Sequence, residues 1–190
     1  MKTGKRYSNI IGFDDAPFSP DHRGKVKVVG AVFANLRLDG VLVGEIEKDG
    51  FDSSEQLLKL VSESKFAEHA NLIMLQGIAV GGFNIIDVFH LHNMLELPVM
   101  VVSRKSPDMD AIHNALTSQI PDGEEKWSII EKLGEMEVVG KVYVQRVGLS
   151  IEEAASVIER FAIHSHIPEP IRVAHLIAGA IVEGQSRGNP

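Results

Sequence analysis

The sequence contains no cysteine, and this absence limits the chemistry open to the protein. Disulfides, zinc–thiolate sites and thiol nucleophiles are excluded throughout its 190 residues. Any metal site must therefore be built from oxygen or nitrogen ligands. The lack of cysteine also agrees with a protein of the cell interior, so we expect a cytoplasmic location.

Long apolar runs are absent too. The most apolar stretch, residues 78–89, is interrupted by two glycines, an asparagine and an aspartate, whereas a membrane helix needs about 18 or more apolar residues. The basic N-terminus is followed by a short apolar run that ends at Asp14 and Asp15, which is not the pattern of a signal peptide. We therefore predict neither a membrane span nor a membrane partner.

The sequence also lacks the glycine loops that bind nucleotide phosphates, since Gly81-Gly82 matches neither a Walker A motif nor a dinucleotide fingerprint. The net charge of −7 argues against a surface that coats polyanions generally, although it allows a local basic track. With 44% hydrophobic and 24% charged residues the composition is that of a globular protein. One domain over residues 1–190 is expected.

Apolar patterning predicts an α/β domain. Residues 8–14 alternate, which places Asp14 at a strand end, and residues 26–38 and 41–46 flank the hairpin signal Asp39-Gly40. Three antiparallel strands should therefore come first. Continuous apolar runs then indicate two buried parallel strands, at residues 71–76 and 98–103. A later pattern indicates one more strand, at residues 138–147.

Helices are expected between and after these strands. Capping boxes are predicted at Ser53 with Gln56 and at Ser150 with Glu153, and helices are predicted over residues 85–95 and 108–119. The string 168–170, Pro-Glu-Pro, opens a last helix. Its apolar stripe is predicted as Ile171, Ala174, Ala178, Ile181 and Val182.

Several polar residues allow both a structural and a chemical interpretation. Asp14 is either part of a turn or a carboxylate that anchors a hard cation at a strand end. The acids Asp52 and Glu55 either complement a helix dipole or ligate the same ion. His175 lies on the apolar side of the last helix and is either a core residue or a general acid.

Four motifs carry a resemblance to a known family, at residues 11–18, 49–52, 81–87 and 168–175. Together and in this order they resemble endonuclease V and, more closely, the related archaeal family labelled endonuclease dU. The resemblance implies a ribonuclease H-like mixed sheet of three antiparallel strands followed by parallel strands, with helices on both faces. It covers most of the chain.

The resemblance also implies roles for particular residues. Asp14 corresponds to the strand-end aspartate that bridges metal ions, and Glu55 falls at a spacing similar to that of the catalytic glutamate. His175 corresponds to the active-site histidine, and Arg104 stands where the family has an active-site lysine. The expected cofactor is Mg²⁺ or Mn²⁺.

The metal site departs from the endonuclease V pattern at one position. The candidate ligands are Asp14, Asp52 and Glu55. The second metal-binding aspartate of endonuclease V, however, corresponds here to Gln76, which is a neutral and poorer ligand for a hard dication. Asp15, Asp52 or Asp87 could supply the missing oxygen.

The resemblance predicts a metal-dependent endonuclease that hydrolyses DNA at a modified base, with deoxyuridine implied by the family label. Lys105, Arg104 and Arg172 are candidates for phosphate contacts, and Phe83 and Asn84 are candidates for stacking on and reading an extruded base. The Pro-Tyr-Ile-Pro wedge of endonuclease V is missing, which argues against deoxyinosine cleavage of the usual kind.

Two other functions stay open at the level of the sequence. Gln76 and the acidic net charge are consistent with a nucleic-acid-binding or assembly protein that has kept the fold but lost its metal chemistry. The other is a metal-dependent phosphoesterase that acts on a small substrate.

Overall fold

A computed structural model describes residues 6–186 of the protein. The strands and helices of this part of the chain are as follows. The strands are β1 (Asn9–Asp15), β2 (Lys25–Ala34), β3 (Arg37–Glu47), β4 (Leu72–Gln76), β5 (Ala79–Val80), β6 (Asn84–Ile85), β7 (Val99–Ser103), β8 (Glu137–Val139) and β9 (Val142–Val147). The helices are α1 (Ser53–Ser62), α2 (Val88–Leu95), α3 (Met109–Gln119), α4 (Gly123–Leu133), α5 (Ile151–Phe161) and α6 (Glu169–Glu183).

One mixed sheet has the strand order β3-β2-β1-β4-β7-β9-β8, and β5 and β6 form a separate hairpin. The strands β1, β2 and β3 are antiparallel, whereas β4 runs parallel to β1 and β7 runs parallel to β4. This arrangement confirms the predicted three antiparallel strands followed by parallel ones. The strand predicted over residues 138–147 is instead two antiparallel strands, because the chain turns at Gly140, whose φ of 60° suits glycine.

Helices cover both faces of the sheet, as predicted. The helices α5 and α6 pack on one face, and α1 and α2 pack on the other. A smaller cluster joins α3 and α4 to the β5–β6 hairpin. Within residues 6–186, no helix combines the length and the apolar composition that crossing a bilayer would require.

The close approach of α6 to β1 depends on a glycine. Ile10 and Gly12 face α6, and a Cβ atom at Gly12 would collide with the backbone of Pro170. Side chains alternate along a strand, so Asp14 lies on the same face as Ile10 and Gly12. The sequence Gly12-Phe13-Asp14 thus lets the last helix press onto the strand that carries the aspartate.

The first hairpin differs from the prediction. The chain turns at Asn35-Leu36, not at Asp39-Gly40, and Asn35 adopts the left-handed conformation that asparagine tolerates well. Asp39 lies within β3 at a bulge, since Val32 pairs with Gly40 while Phe33 pairs with Leu38. A bulge of this kind resembles a turn signal in the sequence but leaves the strand continuous.

The helix starts are corrected in part. Ser53 does not form a capping box: Asp52 takes the N-cap position, and the Ser53 hydroxyl donates to the Ile85 carbonyl at 3.1 Å. The helix predicted from residue 85 begins at Val88, after Asp87, because residues 84–85 pair as a strand. The second capping box, at Ser150, is confirmed.

The apolar stripe of α6 is confirmed for its first half. Ile171, Ala174 and Ala178 are buried, whereas Ile181 and Val182 are exposed. His175 already contacts the end of β1, and six further residues of helix advance about 9 Å. The last turn of α6 therefore lies beyond the part of the helix that packs on the core, and its apolar side chains stay exposed.

Candidate functional site

The polar residues of interest gather at one end of the sheet. Because β1, β4 and β7 are parallel, their carboxyl ends meet there, and the antiparallel β2 begins there. We call this the carboxyl end of the sheet. It brings together Asp14 and Gln76, which lie at the ends of β1 and β4, and Arg104, which follows β7. Open α/β sheets commonly bind ligands at such an end.

Asp14 and His175 form a direct contact at the carboxyl end. The Asp14 side chain is buried, and its Oδ2 atom lies 2.8 Å from Nδ1 of His175. Its Oδ1 atom accepts a hydrogen bond from the Asp15 N–H at 2.9 Å. Burial raises the pKa of the Asp14 carboxyl, while the hydrogen bonds from His175 and Asp15 lower it, and burial is the larger effect.

Asp15 points to the opposite face of the sheet. Its Oδ2 atom accepts a hydrogen bond from the Gly81 N–H at 2.9 Å, and the Gly81 carbonyl in turn accepts one from the Asp49 N–H at 2.8 Å. Burial and the charge of Asp14 raise the pKa of Asp15 to about 6. The Gly81 backbone thus ties the end of β1 to the chain segment after β3.

Asp52 and Asn84 belong to a second network. The Asp52 Oδ1 atom accepts hydrogen bonds from the Glu47 N–H at 3.0 Å and from the Asn84 side-chain amide at 2.7 Å. The Asn84 carbonyl oxygen accepts one from the Ser53 N–H at 3.1 Å. Asn84 is fully buried. Both side chains therefore fix the connection between β3 and α1.

Glu55 forms a third group with a different histidine. Its Oε1 atom lies 2.7 Å from Nε2 of His90 on α2, and the Glu55 side chain is exposed. Asp87 caps α2 by accepting a hydrogen bond from the His90 N–H at 2.9 Å. The structure thus places Glu55 beside His90 and not in contact with the Asp14–His175 pair.

The three predicted metal ligands do not converge in this structure. Asp14, Asp52 and Glu55 each take part in a separate set of contacts. Across residues 6–186, no three histidine, aspartate or glutamate side chains form a group that could hold a metal ion. The ligand roles of Asp52 and Glu55 stay predictions.

The predicted substrate contacts differ in how accessible they are. Arg104 and Lys105 are exposed directly after β7, at the carboxyl end. Arg172 forms a bidentate ion pair with Glu169, at 2.7 and 2.8 Å, so its charge is already balanced. Phe83 is half-buried against the α3–α4 cluster, and its N–H donates to Asp49 Oδ1 at 2.9 Å.

Gln76 ends β4, the strand next to β1, and lies on the face that also carries Asp14. Its neighbours on that face, Leu72 and Met74, belong to the core beneath α6. Within the described part of the chain, its buried Oε1 atom has no hydrogen-bond partner. A buried acceptor left in this way costs free energy unless a bound group satisfies it.

One buried cation of this region, Lys126, was not among the predicted site residues. Lys126 of α4 is buried, and its Nζ atom donates to the Asp49 carbonyl at 2.7 Å. Burial lowers the pKa of Lys126. The sequence offered only the Asp49-Gly50 motif as a signal, because nothing in the helical pattern of α4 marks Lys126 as buried.

Comparisons with known proteins give close relatives of this chain. The family described as Endonuclease dU matches residues 6–182. A UPF0215 protein of Deinococcus radiodurans is 46% identical over 183 residues, covering 96% of this chain and 93% of the relative. The crystal structure of a protein of unknown function from Archaeoglobus fulgidus matches with a TM-score of 0.86 at 36% identity, covering 93% of this chain and 99% of that one.

The fold extends to more distant proteins. Endonuclease V of Ciona intestinalis, solved in complex with DNA containing an inosine, matches with a TM-score of 0.57 at 16% identity over 89% of this chain and 83% of that one. At this identity the likeness concerns the fold alone. The α/β fold is therefore similar to that of endonuclease V, and the chain belongs to the endonuclease dU family.

Proposed function

We propose that this protein is a metal-dependent endonuclease that hydrolyses a phosphodiester bond of DNA beside a modified base. The observation that carries the proposal is the buried Asp14 carboxylate in contact with His175 at the carboxyl end of the sheet. Deoxyuridine is the first candidate base because it is the one in the family's description.

The Asp14–His175 contact suits proton transfer. Hydrolysis joins a water oxygen to phosphorus and breaks one P–O bond, so one proton must leave the water and one must reach the leaving oxygen. With Nδ1 directed at Asp14, the carboxylate orients the imidazole of His175. An imidazole held in this way can donate or accept a proton through Nε2 near neutral pH.

The residues near Asp14 fit a hard divalent cation. Asp14 offers a carboxylate, and the Gln76 Oε1 atom is a buried oxygen without a hydrogen-bond partner among the described residues. Magnesium is commonly held by one or two carboxylates together with waters and substrate phosphates, so this small set suffices. When bound, Mg²⁺ or Mn²⁺ supplies Lewis-acid polarisation of the phosphodiester.

DNA is the proposed partner because the Ciona endonuclease V was solved with DNA and because cationic side chains flank Asp14. Arg104 and Lys105 would contact phosphates beside the scissile bond. Phe83 would stack on the extruded base. Asn84 would act by fixing the loop that presents Phe83, since its amide is bonded to Asp52 and Ser53.

A nicking assay tests the proposal. End-labelled oligonucleotides with one deoxyuridine, one deoxyinosine or no modified base are incubated with Mg²⁺ or Mn²⁺. We expect wild-type protein to nick at the modified base, and we expect Asp14→Ala or EDTA to abolish the nick. Asp110→Ala, which removes an exposed acid on α3, is the matched control. A nick that persists in Asp14→Ala, or no nick with any substrate, rejects the proposal.

A second candidate is a nucleic-acid-binding protein without metal chemistry. It is favoured by Gln76 and by the absence, across residues 6–186, of a three-residue acidic or histidine group. Titration calorimetry with Mn²⁺ separates the two candidates. The endonuclease predicts binding that is lost in Asp14→Ala, whereas the second candidate predicts no binding that depends on Asp14.

A further inference from the structure

A cleft of about 500 Å³ lies beside the Asp14–Asp15 end of β1. One wall is the segment after β1, which includes Phe18 and His22, and the other is the last turn of α6. The first residues of β2 form its floor. The Ala16 N–H donates to the Lys27 carbonyl at 2.8 Å, so the chain leaves the candidate site directly along this cleft.

Several cationic side chains lie in or next to the cleft. Lys25 and Lys27 line the cleft, Arg23 lies two residues before Lys25, and Lys48 contacts the same segment. The acids of this region are Asp21, Glu183, which also lines the cleft, Glu45, which pairs with Lys27 at 2.6 Å, and Glu47, which lies opposite Lys25 on β3. Arg23 and Lys25 are both exposed, and within residues 6–186 neither forms a direct ion pair with an acid, so both are available to a phosphate.

The cleft also presents an aromatic ring on a fixed support. The Lys48 Nζ atom lies 5.5 Å from the centre of the Phe18 ring. The same ammonium donates to the carbonyls of Pro20 and His22, at 2.6 and 3.2 Å. A ring nitrogen of His22 lies 2.8 Å from the Lys25 carbonyl. These contacts hold the segment in place, so the half-buried Phe18 ring is positioned before any ligand binds.

The sheet sets the distance between this cleft and the other basic residues. Lys25 begins β2 at the carboxyl end, and Arg104 follows β7 at the same end. Three strand spacings separate β2 from β7, which is about 15 Å at about 4.8 Å each. Asp14 lies between the two basic groups.

We infer that the cleft binds an unpaired segment of the nucleic-acid strand next to the bond that is cut, with Lys25 and Arg23 on its phosphates and Phe18 stacked on a base. The inference rests on the proposed function. An unpaired segment is required because the face of a base can reach an aromatic side chain only outside the duplex stack. The strand would then run from the cleft across Asp14 toward Arg104.

Fluorescence anisotropy with a labelled single-stranded oligonucleotide in EDTA measures binding without hydrolysis. The double variant Arg23→Ala, Lys25→Ala should weaken binding. Each phosphate contact to a single strand contributes about 0.7 to the slope of log K against log salt concentration, so the loss of two contacts should reduce the magnitude of this slope by about 1.4. Phe18→Leu should weaken single-strand binding by about fivefold or more but leave duplex binding unchanged. The control Lys59→Ala, Lys65→Ala removes two exposed lysines of a different surface, near α1.

Three results would overturn the inference: no binding by the wild-type protein, an equal loss in the control double variant, or a Phe18→Leu protein with an unchanged preference for single strands. Circular dichroism of each variant verifies its folding. The test is separable from that of the proposed function. Binding that depends on the cleft without a nick that depends on Asp14 rejects the endonuclease alone, whereas a nick without cleft-dependent binding rejects the cleft alone.

Discussion

Two carboxylate–histidine pairs in this protein have almost the same length but different surroundings. Asp14 and His175 are 2.8 Å apart, with side-chain exposures of 7% and 28%. Glu55 and His90 are 2.7 Å apart, with exposures of 66% and 35%. Burial raises the pKa of Asp14 and outweighs the hydrogen bonds that lower it. Distance therefore does not identify a reactive pair; the degree of desolvation distinguishes them.

The largest expected difference between the pairs is in catalysis. His175→Ala should lower the rate of nicking by about a thousandfold, the usual range for loss of a general acid or base, whereas His90→Ala should leave the rate within about twofold. Single-turnover rates on the deoxyuridine oligonucleotide measure both. Equal losses in the two variants would show that the buried pair has no special role.

The next effect concerns the second buried carboxyl at the end of β1. The pKa of Asp15 is raised from 3.8 to about 6, so the folded state holds this proton more tightly than the unfolded state. The stabilisation of the folded state by this protonated carboxyl is fully present below pH 3.8 and is lost as the pH rises through 6. The difference between the two pKa values corresponds to at most about 3 kcal/mol of unfolding free energy.

Asp15→Asn tests this effect, because asparagine stays neutral and can still accept the hydrogen bond from Gly81. Above pH 6 the variant should be more stable than wild type by up to about 3 kcal/mol, and near pH 3.8 the advantage should largely vanish. Urea unfolding across this pH range measures the difference. Glu55→Gln at the exposed pair is the control, and an equal pH-dependent gain there would contradict the role of burial.

The sequence predicted the sheet well and the contacts of the polar residues less well. Apolar runs identified the parallel strands, and the motif at residues 168–175 predicted that His175 belongs to the same site as Asp14. The contacts of Asp52 and Asn84 span about thirty residues and depend on the β5–β6 hairpin. Two-residue strands are too short to show a period, so the sequence pattern predicts a helix from residue 85 and gives no sign of these partners.

A smaller effect is expected at Gln76, which lies beside the buried pair. Gln76→Asp adds a carboxylate on the face of Asp14, next to a proposed cation, and should strengthen Mn²⁺ binding by about tenfold, or about 1.4 kcal/mol. Gln76→Leu should weaken it by removing the Oε1 ligand. Calorimetry of the two variants measures both changes. An unchanged affinity in both would place the ion away from Gln76.

The smallest expected effect is at the exposed pair. A double-mutant cycle with Glu55→Gln and His90→Gln should give a coupling of about 1 kcal/mol or less, since water screens an exposed ion pair and its side chains lose entropy on pairing. Glu55→Gln should also leave Mn²⁺ affinity unchanged, because the structure places Glu55 on His90 and not on Asp14. Loss of Mn²⁺ binding in this variant would instead support the sequence-based ligand role of Glu55. The α1 segment would then have to move toward Asp14 when the metal binds.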